Sequence, residues 1–413
     1  MRIVHFSWEF PPVIFGGLGT FATEITKKQQ QFGNEVTVFS LNDQNKHKPQ
    51  DTWNNISVYR PITPDITPAI YTYINEELYR WGPNLKFFSD VVGYNLLSAS
   101  QLINLYQNNG KKPIDIIDAH DWLGILGGMV AKQALKKPLI FHVHSTEIGR
   151  SIGGGSNTIK NIEYNGGQNA DGVITVSFAM KDELIKLGFP KEKIRVCWNG
   201  IDPEKYNPEL ITQQQKNNLR QHYGIKNDET MLFFIGRLVT VKGADKLIEA
   251  MPEILQEFPK TKLVLLGIGD MQQDIKKRIS ELGLENHILL RNEFVNETER
   301  ILHYASSDIV ILPSLYEPFG IVCTEAMSMA KPVVVGARGT SGFREQIINH
   351  GENQCGIHIN PHDPHDIAWG IKQILSLEDK GKQWGQNGRT RAKTVFNWDA
   401  VTQRTLDIYK EFI

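Results

Sequence analysis

Glu317 and Glu325 stand with seven residues between them, in Tyr316-Glu317-Pro318-Phe319-Gly320 followed by Ile321-Val322-Cys323-Thr324-Glu325. An ionised carboxylate accepts two hydroxyl hydrogens at once, which suits a sugar or a ribose. The apolar run Ile309 to Leu312 precedes the pair, and Pro313-Ser314 ends it as a strand ends. Good helix formers follow Gly320, so the first glutamate falls in a strand-to-helix loop and the second in the opening turns of the helix. A helix start offers free N–H groups and a positive dipole end, both suited to phosphate. Read blandly, the pair is one helix-start glutamate favoured by the dipole and one unrelated loop glutamate.

Arg237 and Lys242 follow another apolar run, with Gly236 and Gly243 beside them. Arginine brings a planar fork and lysine a point charge, and two cations at this spacing can converge on one pyrophosphate. Gly267-Ile268-Gly269-Asp270 and Gly339-Thr340-Ser341-Gly342 are further glycine-rich turns after apolar runs of the same half. Together these turns point to a nucleotide. In the first half, Gly16-Gly17-Leu18-Gly19 opens a helical stretch near Thr20. Read from Gly17, with Ala22 in the last place, it fits the looser dinucleotide fingerprint. That fingerprint opens directly off its strand, whereas a long loop from Ser7 intervenes here. His120-Asp121 and His144 end two other runs, and polar groups at the C-terminal ends of parallel strands face the ligand cleft. His142 alternates with His144, which lies nearer the strand end. The competing readings are a core histidine for His144 and a helix N-cap for Asp121.

The elements that must position these residues are short apolar runs between amphipathic stretches. In the first half they are residues 2–7, 35–41, 115–118, 139–144, 172–177 and 193–198. In the second half they are residues 230–235, 262–267, 287–290, 309–312, 333–336 and 356–360. Unalternating runs of this kind read as strands buried on both faces, and helices between them imply parallel sheets. The expected fold class is therefore α/β, with two Rossmann-like doubly wound parallel-sheet domains facing across a cleft. The turn at Asn199-Gly200-Ile201-Asp202-Pro203 is the candidate linker. It gives an acceptor-side domain over 1–198, a nucleotide-sugar domain over 199–396 and a C-terminal helix over 397–413.

Composition sets outer limits. The 413 residues exceed one ordinary core, and 45 Lys+Arg against 46 Asp+Glu argue against a nucleic-acid partner held by bulk charge. The first ten residues read as a strand and no run is long and apolar enough for a membrane span, so the expected location is the cytoplasm. Cys197, Cys323 and Cys355 form no C-x-x-C spacing, and no metal site is expected.

With those residues in view, the sequence resembles the retaining, nucleotide-sugar-dependent glycosyltransferases of the GT-B fold, the large family that includes glycogen and starch synthase relatives. The resemblance rests on the early Gly-Gly-Leu, Ala119-His120-Asp121-Trp122, Phe141-His142-Val143-His144-Ser145 and Asn199-Gly200-Ile201-Asp202. Gly236-Arg237-Leu238 with Lys242-Gly243, the Glu317/Glu325 spacing and Phe396-Asn397-Trp398-Asp399-Ala400-Val401 complete it. It implies that Arg237 and Lys242 hold the donor diphosphate and offset the leaving-group charge without a metal. Glu317 would meet the transferred sugar and Glu325 the ribose. His144 would lie beside the reacting sugar, with Asp121 and Asn199 lining its pocket. Gly16, Gly17, Gly236, Gly267, Phe319 and Gly320 complete the implied donor set. No cofactor is implied beyond the donor substrate, UDP- or ADP-glucose, and the implied acceptor is a glucan or small sugar. Glycogen and starch synthases carry a lysine two residues before the Gly-Gly, where this chain has Ile14; after Glu-Pro the bacterial ones carry Cys, where it has Phe319.

Rival readings start from other residues. A peripheral membrane enzyme with a lipid-linked acceptor needs a basic amphipathic face. The region from Glu76 to Lys112 offers Arg80, Trp81, Lys86, Phe87, Phe88, Tyr94, Lys111 and Lys112, but also Glu76, Glu77 and Asp90. A nucleotide-sugar isomerase, a pyridoxal-phosphate glycan phosphorylase, an NAD dehydrogenase and a non-catalytic binder share similar scaffolds, and fold alone does not separate them. Loop side chains including Glu147, Arg150, Phe294 and Tyr316 are the candidates to set donor and acceptor choice.

Overall fold

The computed structural model describes residues 1–107 and 114–413; Lys111 and Lys112 of the basic stretch weighed above lie outside them. The chain divides into two compact units, Met1–Asn199 with Trp398–Ile413, and Gly200–Asn397. Both are doubly wound α/β structures, the form that the GT-B resemblance implies.

The first unit holds eight strands: β1 (Arg2–Phe6), β2 (Glu35–Phe39), β3 (Gln50–Trp53), β4 (Ile56–Tyr59), β5 (Ile116–His120), β6 (Leu139–Val143), β7 (Gly172–Thr175) and β8 (Ile194–Val196). Their order is β3-β4-β2-β1-β5-β6-β7-β8, parallel except for the β3–β4 pair. Six of them match the apolar runs. The other two form an edge hairpin that the sequence reading did not anticipate, because β3 carries Gln50, Asp51 and Thr52 on exposed positions and has no apolar run. The turn between them is Asn54-Asn55, both residues at positive φ, the pairing that a two-residue hairpin loop favours.

Alternation along the strands separates two buried layers. Ile3, Ile116, Ile140 and Ile174 on one face pack with Phe21 and Ile25 of the helix Gly17–Gln31 and with Trp398, Val401 and Leu406 of the helix Trp398–Lys410. Val4, Phe6, Ile117, Phe141 and Val173 on the other face pack with Ile125 of the helix Asp121–Leu135 and Leu102 of the helix Leu85–Gln107. The C-terminal helix is therefore part of the first unit's core, and Lys28 meets its Asp399 at 2.6 Å.

The second unit has six strands, all parallel: β9 (Thr230–Ile235), β10 (Thr261–Leu266), β11 (Ile288–Arg291), β12 (Ile309–Leu312), β13 (Val333–Gly336) and β14 (Gly356–Ile359). The order is β11-β10-β9-β12-β13-β14. Strand order thus reverses between β9 and β12, as it does between β1 and β5 in the first unit. Ligands of open α/β sheets bind beyond the strand ends at such reversals.

Candidate active site

In the second unit the loops after β9 and β12 flank the reversal, and backbone hydrogen bonds tie them together. Leu315 N–H donates to Val241 O at 2.8 Å, and Leu238 N–H to Ile268 O at 2.8 Å. Glu317 N–H donates to Thr340 O at 3.1 Å, and Gly342 N–H returns to Glu317 O at 2.8 Å. All four turns singled out in this half are joined in this way. Gly267 permits the closest approach, since a Cβ there would lie 1.8 Å from Gly236 O. Gly320 sits at φ 86°, where a side chain would also strike Phe343.

On this frame Lys242 Nζ forms an ion pair with Glu317 Oε2, which also accepts from Ser314 Oγ at 3.3 Å. Glu317 is 8% exposed, so its charge is balanced by the lysine rather than by water. Arg237 is exposed, and its guanidinium has no hydrogen bond or ion pair among the described residues. A paired and an unpaired cation thus stand in one loop, five positions apart. Phe319 serves the core instead: its ring is 1% exposed and packs edge to face on Phe396 at 5.7 Å.

Glu325 lies on the helix Ile321–Ser328 and is 3% exposed. Its Oε1 accepts from the Tyr206 hydroxyl and its Oε2 from the Tyr304 hydroxyl, each at 2.8 Å, while Arg300 Nη2 stands 3.3 Å from Oε1. Burial and the Glu325 charge push both tyrosine hydroxyls well above their ordinary range, so they act as donors here. A carboxylate has about four acceptor sites. Two ribose hydroxyls can therefore join these partners or displace them.

The first unit's residues are braced more tightly. Gly16 and Gly17 are exposed, but the Gly16 N–H donates to Glu9 Oε2 at 2.9 Å, beside those of Phe15 at 2.8 Å and Gly19 at 3.2 Å. A protein carboxylate thus takes three amides of the glycine loop, while the Gly17 and Leu18 N–H groups at the start of the helix Gly17–Gln31 have no partner among the described residues. Asp121, at φ 53°, does not cap its own helix. Its Oδ1 accepts from the His144 N–H at 2.7 Å and the Ser145 N–H at 3.4 Å, joining the end of β5 to the loop after β6. Burial pushes the Asp121 carboxyl up to about 6, against the pull of Arg150. Glu163, on the helix Asn157–Asn169, takes the Glu147 N–H on both oxygens and meets Arg150 at 3.1 Å. Its carboxyl is raised to about 7, again by burial. His144 is partly exposed just past β6, while His142 is sealed. Asn199 is buried and its Oδ1 has no partner among the described residues.

Comparison with known proteins decides the family. Residues 15–205 match the family model "Glycosyltransferase Family 4" and residues 215–391 match "Glycosyl transferases group 1". An uncharacterized glycosyltransferase of Methanocaldococcus jannaschii is 32% identical over 99% of this chain and 98% of its own length. This chain is a glycosyltransferase of that family. A glycogen synthase of Mycobacterium tuberculosis is 27% identical, covering 99% of this chain and 94% of the relative. Among solved structures, the sucrose-phosphate synthase from Thermosynechococcus elongatus superposes with a TM-score of 0.79 at 21% identity, covering 99% of this glycosyltransferase and 98% of that chain. At that identity the superposition speaks for the fold.

Several residues that brace these candidates were missed in the sequence reading: Glu9 and Glu163 in the first unit, and the Tyr206–Arg300–Tyr304 set around Glu325 in the second. Glu9 carried a signal, as a lone carboxylate between Trp8 and Phe10 beside an apolar strand. The others had none, because their partners are distant in sequence. No helix among the described residues is long and apolar enough to cross a membrane.

Proposed function

We propose that this glycosyltransferase moves a hexose, glucose as the leading candidate, from a nucleoside-diphosphate sugar to a glucan or small sugar with retention of configuration. The observation that carries the reading is the strand-order reversal in the second unit, where the Lys242–Glu317 pair and the unpartnered Arg237 share one loop frame. A diphosphate satisfies Arg237 and draws Lys242 toward it, which leaves Glu317 free to accept hydroxyls of the attached sugar. The bond from the sugar's C1 to the leaving phosphate oxygen breaks as the acceptor oxygen bonds C1 on the same face. The acceptor's proton passes to the departing phosphate. Arg237 and Lys242 stabilise the charge that develops there, so a metal is not required. The name of one similar protein, glycogen synthase, supports glucose and a glucan acceptor.

The lipid-acceptor alternative gains little from its region. Arg80 pairs with Glu76 and Lys86 with Asp90, leaving few cations for an anionic surface. The test is a panel of UDP-, ADP- and GDP-sugars, each alone and then with glycogen, maltooligosaccharide, glucose or glucose phosphate. The expected result is acceptor-dependent release of one nucleoside diphosphate. Binding without release, together with sedimentation on liposomes, would favour the lipid acceptor; neither binding nor release would remove the reading.

A further inference from the structure

Beneath His144, on the sheet face covered by the helices Gly17–Gln31 and Trp398–Lys410, lies a polar chain that this reaction scheme does not use. His5 of β1, His120 of β5 and His144 after β6 belong to three adjacent strands. Gln29 Oε1 lies 2.8 Å from His5 Nε2. His5 Nδ1 lies 3.0 Å from His120 Nε2, and His120 Nδ1 lies 3.1 Å from His144 Nε2. Gln29, His5 and His120 are fully buried.

The rings meet edge to edge. His5 and His120 have centroids 5.3 Å apart and planes 15° apart; for His120 and His144 the values are 5.4 Å and 24°. Each centroid separation exceeds its nitrogen separation by about one ring width, so the bonded nitrogens lie on the line between ring centres. That is the geometry of linear N–H···N hydrogen bonds. Ligand atoms of two sets, His5–Asp118–His120 and His120–His142–His144, lie within 4.8 Å of one another. Metal ligation requires the in-plane lone pairs of the ligating rings to converge on one point, whereas the bonded nitrogens of His5, His120 and His144 point at one another pairwise.

Burial lowers the affinity of all three rings for a second proton, His120 to about 3, so the chain is neutral. A neutral imidazole has one donor and one acceptor nitrogen, so fixing one end fixes every ring. Gln29 turns its amide oxygen, which can only accept, to His5, and its Nε2 has no partner among the described residues. His5 therefore donates from Nε2 and accepts at Nδ1, His120 does the same, and His144 donates from Nε2. Its remaining nitrogen, Nδ1, has no partner among the described residues and is not sealed in the interior.

We propose that Gln29, His5 and His120 are positioning residues that hold His144 in its Nε2–H tautomer, so that Nδ1 is presented as an acceptor for a substrate hydroxyl. The hydroxyl belongs to the hexose or its acceptor, and this last step rests on the transferase reading above. Asp118 flanks the chain without a hydrogen bond to it: its Oδ2 takes the Tyr409 hydroxyl, stands 3.3 Å from His142 Nδ1, and lies 3.7 Å from His5 Nδ1 and 3.8 Å from His120 Nε2.

The experiment is long-range ¹H–¹⁵N correlation on full-length protein labelled with ¹⁵N-histidine at neutral pH, with H5N, H120N and H144N used to assign the signals. Protonated Nε2 and unprotonated Nδ1 are expected for all three residues. Gln29→Met removes the terminal acceptor, and an unsatisfied N–H then costs more than an unsatisfied lone pair in an apolar site. The chain is expected to reverse, moving the His144 proton to Nδ1. Turnover should fall roughly tenfold, the size of one lost hydrogen bond, with nucleoside-diphosphate affinity unchanged. A protonated Nδ1 on wild-type His144, an unchanged tautomer in Gln29→Met, or one equivalent of zinc in the purified protein would each overturn the proposal. Should Gln29→Met not fold, the wild-type spectrum and metal content decide it alone. The expected spectra with no sugar transfer would uphold the tautomer lock and sink only the transferase reading.

Discussion

The strand-order reversals of the two units are furnished in opposite ways. In the first unit, Glu9 takes the Phe15, Gly16 and Gly19 amides, Asp121 holds the His144 and Ser145 amides, and Glu163 holds that of Glu147. In the second unit, Arg237 has no partner among the described residues and Lys242 pairs with a carboxylate expected to meet sugar. The contrast separates two physical jobs. A group that must bind an anion keeps a cation available, because displacing an internal partner costs affinity. A surface that must present a backbone in one shape spends its polar groups on itself.

The sharpest way to break this comparison is to remove the paired cation. Lys242→Ala, and separately Glu317→Gln, should lower turnover by roughly 10²–10³, the range for losing a preorganised electrostatic contact. Circular dichroism should show both variants folded. Nucleoside-diphosphate release near the wild-type rate would remove the assigned role. Arg237→Ala should act next most strongly, lowering kcat/KM for the donor by roughly tenfold or more, the size of a charge-assisted hydrogen bond, with part of the loss in turnover. Since the side chain has no protein partner, its melting temperature should stay put; a large drop would mean that Arg237 is structural.

A smaller effect sharpens the view of the first unit. Glu163 is raised from 4.5 to about 7 by burial. A carboxyl raised in the folded state costs stability as pH climbs past its unfolded value, and the full cost, roughly 3 kcal/mol, is present above the folded one. Removing the charge by Glu163→Gln should therefore change melting temperature relative to wild type in a pH-dependent way. The difference should move in the variant's favour between pH 4.5 and 8, and a flat difference would deny that Glu163 is strained by burial. The smallest expected effect is none: EDTA should leave transfer unchanged. Loss of activity restored by Mg²⁺ or Mn²⁺ would show that the cations of the second unit do not suffice.

The second unit was the more legible of the two because its signals are local. Each of its strands is a continuous apolar run, and Arg237, Lys242 and Glu317 sit next to the turns that carry them. The β3–β4 hairpin escaped notice because an exposed edge strand needs no apolar run, although its Asn54-Asn55 turn was in plain sight. Phe319 read as a ligand neighbour because it follows Glu317-Pro318. Which way a ring turns depends on what lies beneath it, here Phe396, distant in sequence.

By itself, the sequence determined the alternation of buried strands with helices, the places where strands end, and the residue types at those ends, since these follow from hydrophobic pattern and turn chemistry within short windows. Only the tertiary structure decided the partners of those polar groups: Lys242 for Glu317, two tyrosines for Glu325, Glu9 for the glycine loop, and His120 for both His5 and His144. A buried polar group must find a partner wherever the fold brings one within about 3 Å. That distance is set by sheet order and packing, which no local pattern encodes.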